Sequence, residues 1–258
     1  MKPRYPKLDF DRLQIYYSNP LTIDIEGVLG TVTVKAPSIG DIIEIGESRF
    51  YSNLSILVGN TTQYRLLLWN QGIDWNTISD FQMFMGMYEQ LDKDVVDLLF
   101  DNINFEDFHV YVRTHEDGTK EEFLYNEETE TEINEVVYQY FHQYFQNIFN
   151  MKPEEEITRD KHLKEWWIRK DTVAIEQKGK KHEESSFSFV PLISLYVNYS
   201  GTKYSSKELK EVGVPEFFDS IARILQIERA RAVMSGMYSG FVNSKDIDPS
   251  LYDLTKDI

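Results

Sequence analysis

The chain has 258 residues, of which 41% are hydrophobic and 14% aromatic, so it can bury a substantial core. It carries 27 Lys and Arg against 43 Asp and Glu, a formal charge of −16, which disfavours binding to nucleic-acid phosphates or to an anionic membrane surface. Cysteine is absent, which excludes disulfides, thiolate metal sites and cysteine nucleophiles. The sequence has no signal-peptide core and no apolar run of membrane-spanning length, so we expect a cytoplasmic protein.

The N-terminal part begins with a strand-rich segment. Residues 21–36 alternate apolar and polar side chains around a glycine-containing turn, a pattern typical of a β-hairpin. Pro37 ends the second strand, and Ser38 is suited to cap a helix that continues to residue 47.

Helices are predicted next. Between Phe50 and Phe100, apolar residues recur every three or four positions with two polar interruptions, which predicts three helices and a short fourth one from Asp94. Ser79 is placed to cap the third of these helices.

A second hairpin is predicted near residues 108–125, because strand-like alternation lies on both sides of an Asp117-Gly118 turn. A carboxylate-rich segment, residues 127–135, then leads into a predicted helix from Val136 to Phe149 with a strongly aromatic face. Together these patterns predict an α+β fold that is predominantly helical.

We expect three parts along the chain. Residues 1–153 form the N-terminal α+β part, residues 154–186 a short helix and a mobile linker, and residues 187–258 a C-terminal helical part. The linker is expected at about 177–184, because it combines lysines with Gly179 and lacks apolar anchors. The longest amphipathic run in the chain is 215–238.

Catalytic and metal sites have little support in the sequence. The five histidines form no pair at helical spacing, and His142 on the aromatic helix is interpreted as structural. The acidic pairs around Asp92 and Glu154 are interpreted as solvated runs, since no phosphate-binding loop accompanies them. No Gly-x-Ser-x-Gly elbow is present. We therefore expect no enzymatic activity, no cofactor and no bound metal.

A basic cluster surrounds Trp166 and Trp167, in a stretch, residues 154–186, that holds eight of the 27 basic residues. Cationic and aromatic side chains together could stack on single-stranded nucleic acid. The formal charge of −16 and the acidic residues among the basic ones would repel nucleic-acid phosphates, so we expect no nucleic-acid binding.

The last predicted helix, from Pro215 to about Tyr238, has apolar residues on more than one face. Packing on one neighbour needs a single stripe, so core packing and a partner groove are both open for this helix. The candidate partner-binding residues are Phe217, Phe218, Ile221, Ile224, Leu225, Met234, Met237 and Tyr238.

Three motifs resemble the tail assembly chaperones of long-tailed bacteriophages that infect Gram-positive hosts. They are the Pro37–Glu47 segment after a strand, the Leu68–Trp75 turn, and the Glu216–Ile224 helix with its Met237–Gly240 tail. The resemblance spans most of the chain, although residues 105–186 depart from the compact helical members of the family.

This resemblance implies a non-enzymatic protein that covers the hydrophobic, helical tape-measure protein while tail-tube subunits polymerise around it. The tube protein is a second candidate partner, and self-association is also open. The family resemblance implies action in the host cytoplasm and absence from the mature virion. Two alternatives remain: a virion structural protein, such as a tail-completion or connector component, and an enzyme of unrecognised type.

Overall fold

A computed structural model describes residues 5–181, 188–241, 243, 245 and 247–255. This part of the chain forms ten α-helices and two three-stranded antiparallel sheets, which confirms the predicted α+β class. The helices are α1 Arg12–Tyr16, α2 Ile39–Ile45, α3 Glu47–Val58, α4 Arg65–Asn70, α5 Asp80–Met85, α6 Lys93–Leu99, α7 Glu135–Ile148, α8 Lys161–Lys181, α9 Phe189–Asn198 and α10 Val214–Tyr238. None of the helices in the described ranges has the length and apolar character needed to cross a membrane.

The first sheet contains the predicted N-terminal hairpin. Strands β1, Leu21–Ile23, and β2, Val32–Val34, pair antiparallel, and a third strand, β3 at Phe100–Asp101, joins β2 from the end of α6. The sequence did not predict β3, because two residues are too few to show an alternating pattern.

The predicted capping residues are confirmed. The Ser38 hydroxyl accepts a hydrogen bond from the Asp41 backbone N–H, and the Asp41 carboxylate accepts one from the Ser38 backbone N–H. Two backbone donors at the start of α2 are thereby satisfied. Ser79 and Gln82 form the same reciprocal pair at the start of α5. These short helices therefore begin where the sequence indicates.

The second sheet contains the predicted hairpin of residues 108–125, with β4 at His109–Thr114 and β5 at Lys120–Asn126. A third strand, β6 at Thr131–Ile133, pairs with β5 inside the carboxylate-rich segment. Glu132 in this strand is 2% exposed, and its carboxylate lies 2.8 Å from the Arg113 guanidinium. The buried carboxylate of this strand is therefore paired with the partly exposed Arg113, so an acidic residue can occupy this position.

Helix α7 carries the aromatic centre of the core. Its side chains Tyr138, Phe141 and Phe145 are fully buried and pack in edge or tilted geometry against Phe84 of α5 and Phe100 of β3. Ring centroids 5.1 to 5.7 Å apart match the preferred spacing of aromatic pairs. The aromatic face predicted for this helix is thus a core face.

Helix α8 is longer than the short helix predicted for residues 154–186. It runs from Lys161 to Lys181, so residues 177–181 of the expected linker are helical, and residues 182–186 lie outside the described residues. The sequence underestimated this helix because Gly179 and neighbouring lysines resemble a linker composition.

The C-terminal helices share their core with the N-terminal part. Phe189 of α9 is fully buried, packs 6.0 Å from Tyr51 of α3, and donates its backbone N–H to the Glu47 carboxylate. One cluster of buried side chains includes residues from both predicted parts, from Ile23 to Ile224. The predicted boundaries at 153 and 187 therefore do not separate independent cores.

Candidate partner-binding surface

Helix α10 begins against the N-terminal part of the chain. Its first residue, Val214, donates its backbone N–H to the Pro37 carbonyl over 3.0 Å, and Gly213 forms an isolated bridge with Ser38. Pro215 occupies the first turn of the helix, where its missing N–H is not needed. The N-terminal end of α10 is therefore fixed by backbone contacts.

An aromatic cluster holds the first turns of α10. Phe217 is fully buried and contacts Phe189 and Tyr196 of α9, with ring centroids 5.9 and 6.1 Å apart. The neighbouring Phe218 stacks on Phe189 at 6.0 Å and is partly buried against the core. Burial, with smaller contributions from Tyr204 and Glu216, also raises the pKa of Tyr196, so it stays a neutral packing group.

Three of the candidate partner-binding residues are core residues. Phe217 is fully buried, and Ile221 and Ile224 are each 6% exposed, which leaves no surface for a partner. The sequence grouped them with the docking residues because helical spacing alone does not distinguish burial in this chain from burial in a complex. We therefore remove these three from the candidate surface.

The C-terminal half of α10 is different. None of residues 231–238, all of which the structure describes, is buried. Tyr238 is 83% exposed and Met234 37% exposed, while Met237 is half-buried. At 100° per residue these three side chains lie on one side of the helix, and Leu225, which is 54% exposed, lies on the opposite side from Met234.

Residues 250–254 return along α10. The Gln226 side-chain amide donates to the carbonyls of Ser250, Leu251 and Asp253 at 3.1 to 3.4 Å, and the Arg223 guanidinium donates to the Leu254 carbonyl at 2.8 Å. Helical spacing puts Arg223 and Gln226 on the same side as Met234. Residues 250–254 therefore cover this side of α10 near Arg223 and Gln226. Met234 and Met237 lie on the same side, closer to the C-terminal end of the helix.

Helix α9 adds a second set of exposed apolar side chains. Val190 is 68% exposed, Val197 38% and Leu195 37%, whereas only Phe189 and Tyr196 of this helix are buried. This helix was not among the predicted partner-binding elements, although its apolar run, interrupted only by Ser194, was the available signal. We name the accessible apolar residues of α9 and of the methionine side of α10 the α9–α10 surface: Val190, Leu195, Val197, Met234, Met237 and Tyr238. Leu225, on the opposite side of α10, and Phe218, which packs on Phe189, are left out.

A polar trio fixes the end of α9 beside the middle of α10. The Tyr199 hydroxyl donates to the Glu228 carboxylate over 2.9 Å, and Arg231 donates to both groups. The hydrogen bond to Glu228 raises the pKa of Tyr199, so the phenol keeps the proton that it donates. The two helices that carry the surface are thereby held together.

Two clefts lie outside this surface. The first, of about 470 Å³, is open and lies between the N-terminal segment, the end of α7 and Phe218 and Asp219 of α10. The second, of about 430 Å³, is lined by polar side chains that include Tyr5, Asp80 and His142. Burial, reinforced by Glu135, raises the pKa of Tyr5, so this phenol is not a base at neutral pH.

The most buried titratable residue of the second cleft is His142, which is 5% exposed. Its Nδ1 lies 2.8 Å from the Leu57 carbonyl and 3.0 Å from the Tyr138 hydroxyl, and its Nε2 lies 2.7 Å from the Gln146 amide. Both ring nitrogens are thus engaged: Nδ1 contacts α3 as well as Tyr138 of its own helix, and Nε2 contacts Gln146 within α7. This geometry agrees with a structural role for the histidine.

The acidic residues considered as catalytic candidates have structural partners. Asp92 caps α6 and binds Arg49, and Glu156 binds Arg65. No group of three or more His, Cys, Asp or Glu residues in the described ranges is arranged to hold a metal ion. In the basic cluster, Trp167 packs 6.3 Å from Trp75 while Trp166 is 55% exposed and has Lys170 over its ring.

In comparisons with known proteins, no family model matches this sequence, and no curated protein or solved structure matches it. Any functional conclusion therefore depends on the residues and surfaces described above.

Proposed function

We propose that this chain is a non-enzymatic assembly chaperone of a bacteriophage tail, which covers an apolar helical segment of the tape-measure protein in the host cytoplasm. The observation that carries the proposal is the α9–α10 surface: two neighbouring helices with apolar side chains that the described part of the chain leaves accessible. The resemblance of the Pro37–Glu47, Leu68–Trp75 and Glu216–Ile224 segments to tail assembly chaperones supports the identity of the partner.

The chemistry of this surface suits a helical partner. Methionine side chains are flexible and polarisable, so Met234 and Met237 can adapt to different apolar residues on a bound helix. Tyr238 adds a large amphipathic ring at the end of the same side. Helix-in-groove recognition uses apolar anchors at such spacing.

The charge of the chain suits a chaperone of an aggregation-prone protein. A formal charge of −16 makes copies of the complex repel one another while the apolar segment is covered. The same charge disfavours nucleic acid as the partner.

The direct test is co-expression with the tape-measure protein of the same phage, with soluble tape-measure protein as the measured quantity. Met234→Asp and Tyr238→Asp place a charge on the docking side, and we expect folded chaperone that no longer keeps its partner soluble. Val173→Asp is the matched control, because Val173 is 44% exposed on α8, outside the surface. Ile221→Asp should unfold the protein, since this side chain is 6% exposed.

Three results would count against the proposal. They are unchanged partner solubility with Met234→Asp and Tyr238→Asp in folded protein, purification from infected cells without any tape-measure or tube protein, and presence of the chain in purified virions. The last result would favour the alternative of a tail-completion or connector component, which remains in the particle.

A further inference from the structure

Strand β4 is an open edge of the second sheet. Its pairing with β5 is continuous from His109 opposite Tyr125 to Thr114 opposite Lys120. His115 donates its N–H to the Thr119 carbonyl, so by the alternation of antiparallel hydrogen bonds the N–H and C=O groups of Val110, Val112 and Thr114 point away from β5. None of the described residues donates to or accepts from these groups.

The opposite edge of the same sheet is closed. The outward N–H of Glu132 in β6 donates to the Leu29 carbonyl over 2.9 Å. A Cβ atom on Gly30 would lie 2.8 Å from the Thr131 Cα, so the turn of the first hairpin sits directly on β6. Of the two edges, only β4 is accessible within the described part of the chain.

Exposed edges of soluble proteins usually carry proline, lysine or a bulge that prevents strand addition. The β4 sequence His-Val-Tyr-Val-Arg-Thr contains none of these. Its Val110 and Val112 side chains are 50% and 57% exposed. The single charged residue, Arg113, is engaged by Glu121 and Glu132 on its own sheet. This edge is therefore suited to accept another strand.

We propose that β4 pairs with β4 of a second copy of this chain, antiparallel about a two-fold axis at Val112, so that two three-stranded sheets become one sheet of six strands. The outward backbone groups then match: Val112 pairs with Val112 of the second copy, and Val110 with Thr114. Such a pairing is isologous, as two-fold dimers require.

The facing side chains favour this register. On one side of the sheet, Val112 lies beside Val112 and Val110 beside Thr114; on the other side, Tyr111 lies opposite Arg113. A two-fold axis at Arg113 would put two guanidinium groups opposite each other, which is unfavourable. An axis at Tyr111 would leave the outward groups of Thr114 unpaired. The register centred on Val112 avoids both defects.

Electrostatic repulsion between the copies sets the conditions under which the dimer forms. Each copy has a formal charge of −16, and a six-residue strand pair buries little area, so association is weak at low ionic strength. Salt screens the repulsion, and the dimer is tighter at high ionic strength. The inference is independent of the proposed chaperone function, because it concerns a different surface.

Sedimentation equilibrium of the full chain tests the proposal at low and high salt. We expect a monomer–dimer equilibrium in which Val112→Lys and Val110→Pro each raise the dissociation constant at least about tenfold, by adding a charge or removing an outward N–H. Leu29→Lys is the matched control, because Leu29 is 54% exposed but lies away from the edge, and it should dimerise as the wild type does.

Cross-linking fixes the register and remains informative if a lysine or proline variant fails to fold. The chain has no cysteine, so Val112→Cys places one thiol per copy at the two-fold axis, where paired Cα atoms lie about 5.5 Å apart. Mild oxidation should give a covalent dimer of Val112→Cys and little dimer of Leu29→Cys. A wild type that stays monomeric at all concentrations, equal cross-linking of both variants, or a dimer unaffected by Val112→Lys in folded protein would overturn the proposal.

Discussion

Arg65 of α4 donates two hydrogen bonds to the carboxylate of Asp171 of α8, from Nε over 2.5 Å and from Nη2 over 2.8 Å. The Arg65 side chain is 8% exposed, and its remaining terminal nitrogen binds Glu156. The hydrogen bonds that Arg65 donates to Asp171 are the main reason that the pKa of the guanidinium is raised. This ion pair, together with Trp167 against Trp75, attaches α8 to the rest of the fold.

Replacing Arg65 by Met should destabilise the protein by roughly 3 kcal/mol, because two carboxylates lose their buried counter-charge. We expect α8 to detach first, which would change the fluorescence of Trp167. Urea unfolding, monitored both by tryptophan fluorescence and by circular dichroism, measures the loss of stability and the early detachment of α8. Lys161→Met is the control, since the Lys161 side chain is 81% exposed and should contribute almost nothing. Equal stability of the two variants would contradict the role assigned to Arg65.

Asp92 should stabilise the fold in two separable ways, of which chiefly the ion pair with Arg49 depends on pH. Arg49 lowers the pKa of this carboxyl through direct hydrogen bonds, and Asp92 also accepts the Asp94 N–H as the cap of α6. A group whose folded-state pKa is lowered contributes stability above its unfolded pKa, about 3.9, and loses it as the pH falls through the folded value.

Asp92→Asn keeps the cap but removes the charge, so we expect a loss of less than about 1 kcal/mol at neutral pH. This loss should shrink once the pH is below the unfolded pKa and vanish as the pH falls through the lower folded pKa. Asp92→Ala removes the cap as well and should cost about 1 kcal/mol more at every pH. Thermal unfolding at a series of pH values measures both differences. A stability difference between Asp92→Asn and the wild type that does not change with pH would show that the ion pair with Arg49 is not its cause.

The sequence predicted those helices and strands whose ends carry a capping residue or a turn dipeptide. Ser38 and Ser79 marked the starts of α2 and α5, and Asp117-Gly118 marked the second hairpin. Elements that depend on distant partners were missed. Glu132 of β6 pairs with Arg113 of β4, and α8 is attached through Arg65 of α4. These partners are distant in the sequence, so neither element could be predicted from neighbouring residues alone.

The candidate surface was predicted in part for the same reason. The apolar spacing of α10 indicated more than one face, but it could not show that Phe217 packs on α9 in the core while Met234 is exposed. The contribution of α9 was not singled out because an apolar helix of ten residues is typical of a core element.

Gly30 should be required for the contact between the two sheets, whereas Gly27 in the same turn should not. Both have positive φ, +72° and +83°, so alanine strains the backbone at either position. Only at Gly30 would the new Cβ meet another segment, 2.8 Å from the Thr131 Cα. We expect Gly27→Ala to cost about 1 kcal/mol and Gly30→Ala roughly 1–3 kcal/mol more. Chemical denaturation of both variants gives the comparison, and similar costs would argue against tight packing of this turn on β6.

Phe217 and Tyr238 lie at opposite ends of α10 and should differ sharply when truncated. Phe217 is fully buried between α9 and the core, so Phe217→Ala removes a complete ring contact and should destabilise the fold by about 3–5 kcal/mol. Tyr238 is 83% exposed, and Tyr238→Ala should change the free energy of unfolding by less than about 0.5 kcal/mol. Urea unfolding measures both values, and circular dichroism checks that each variant keeps its helices. A large loss with Tyr238→Ala would mean that the end of α10 is packed within the chain, so that it could not serve as the exposed part of the α9–α10 surface.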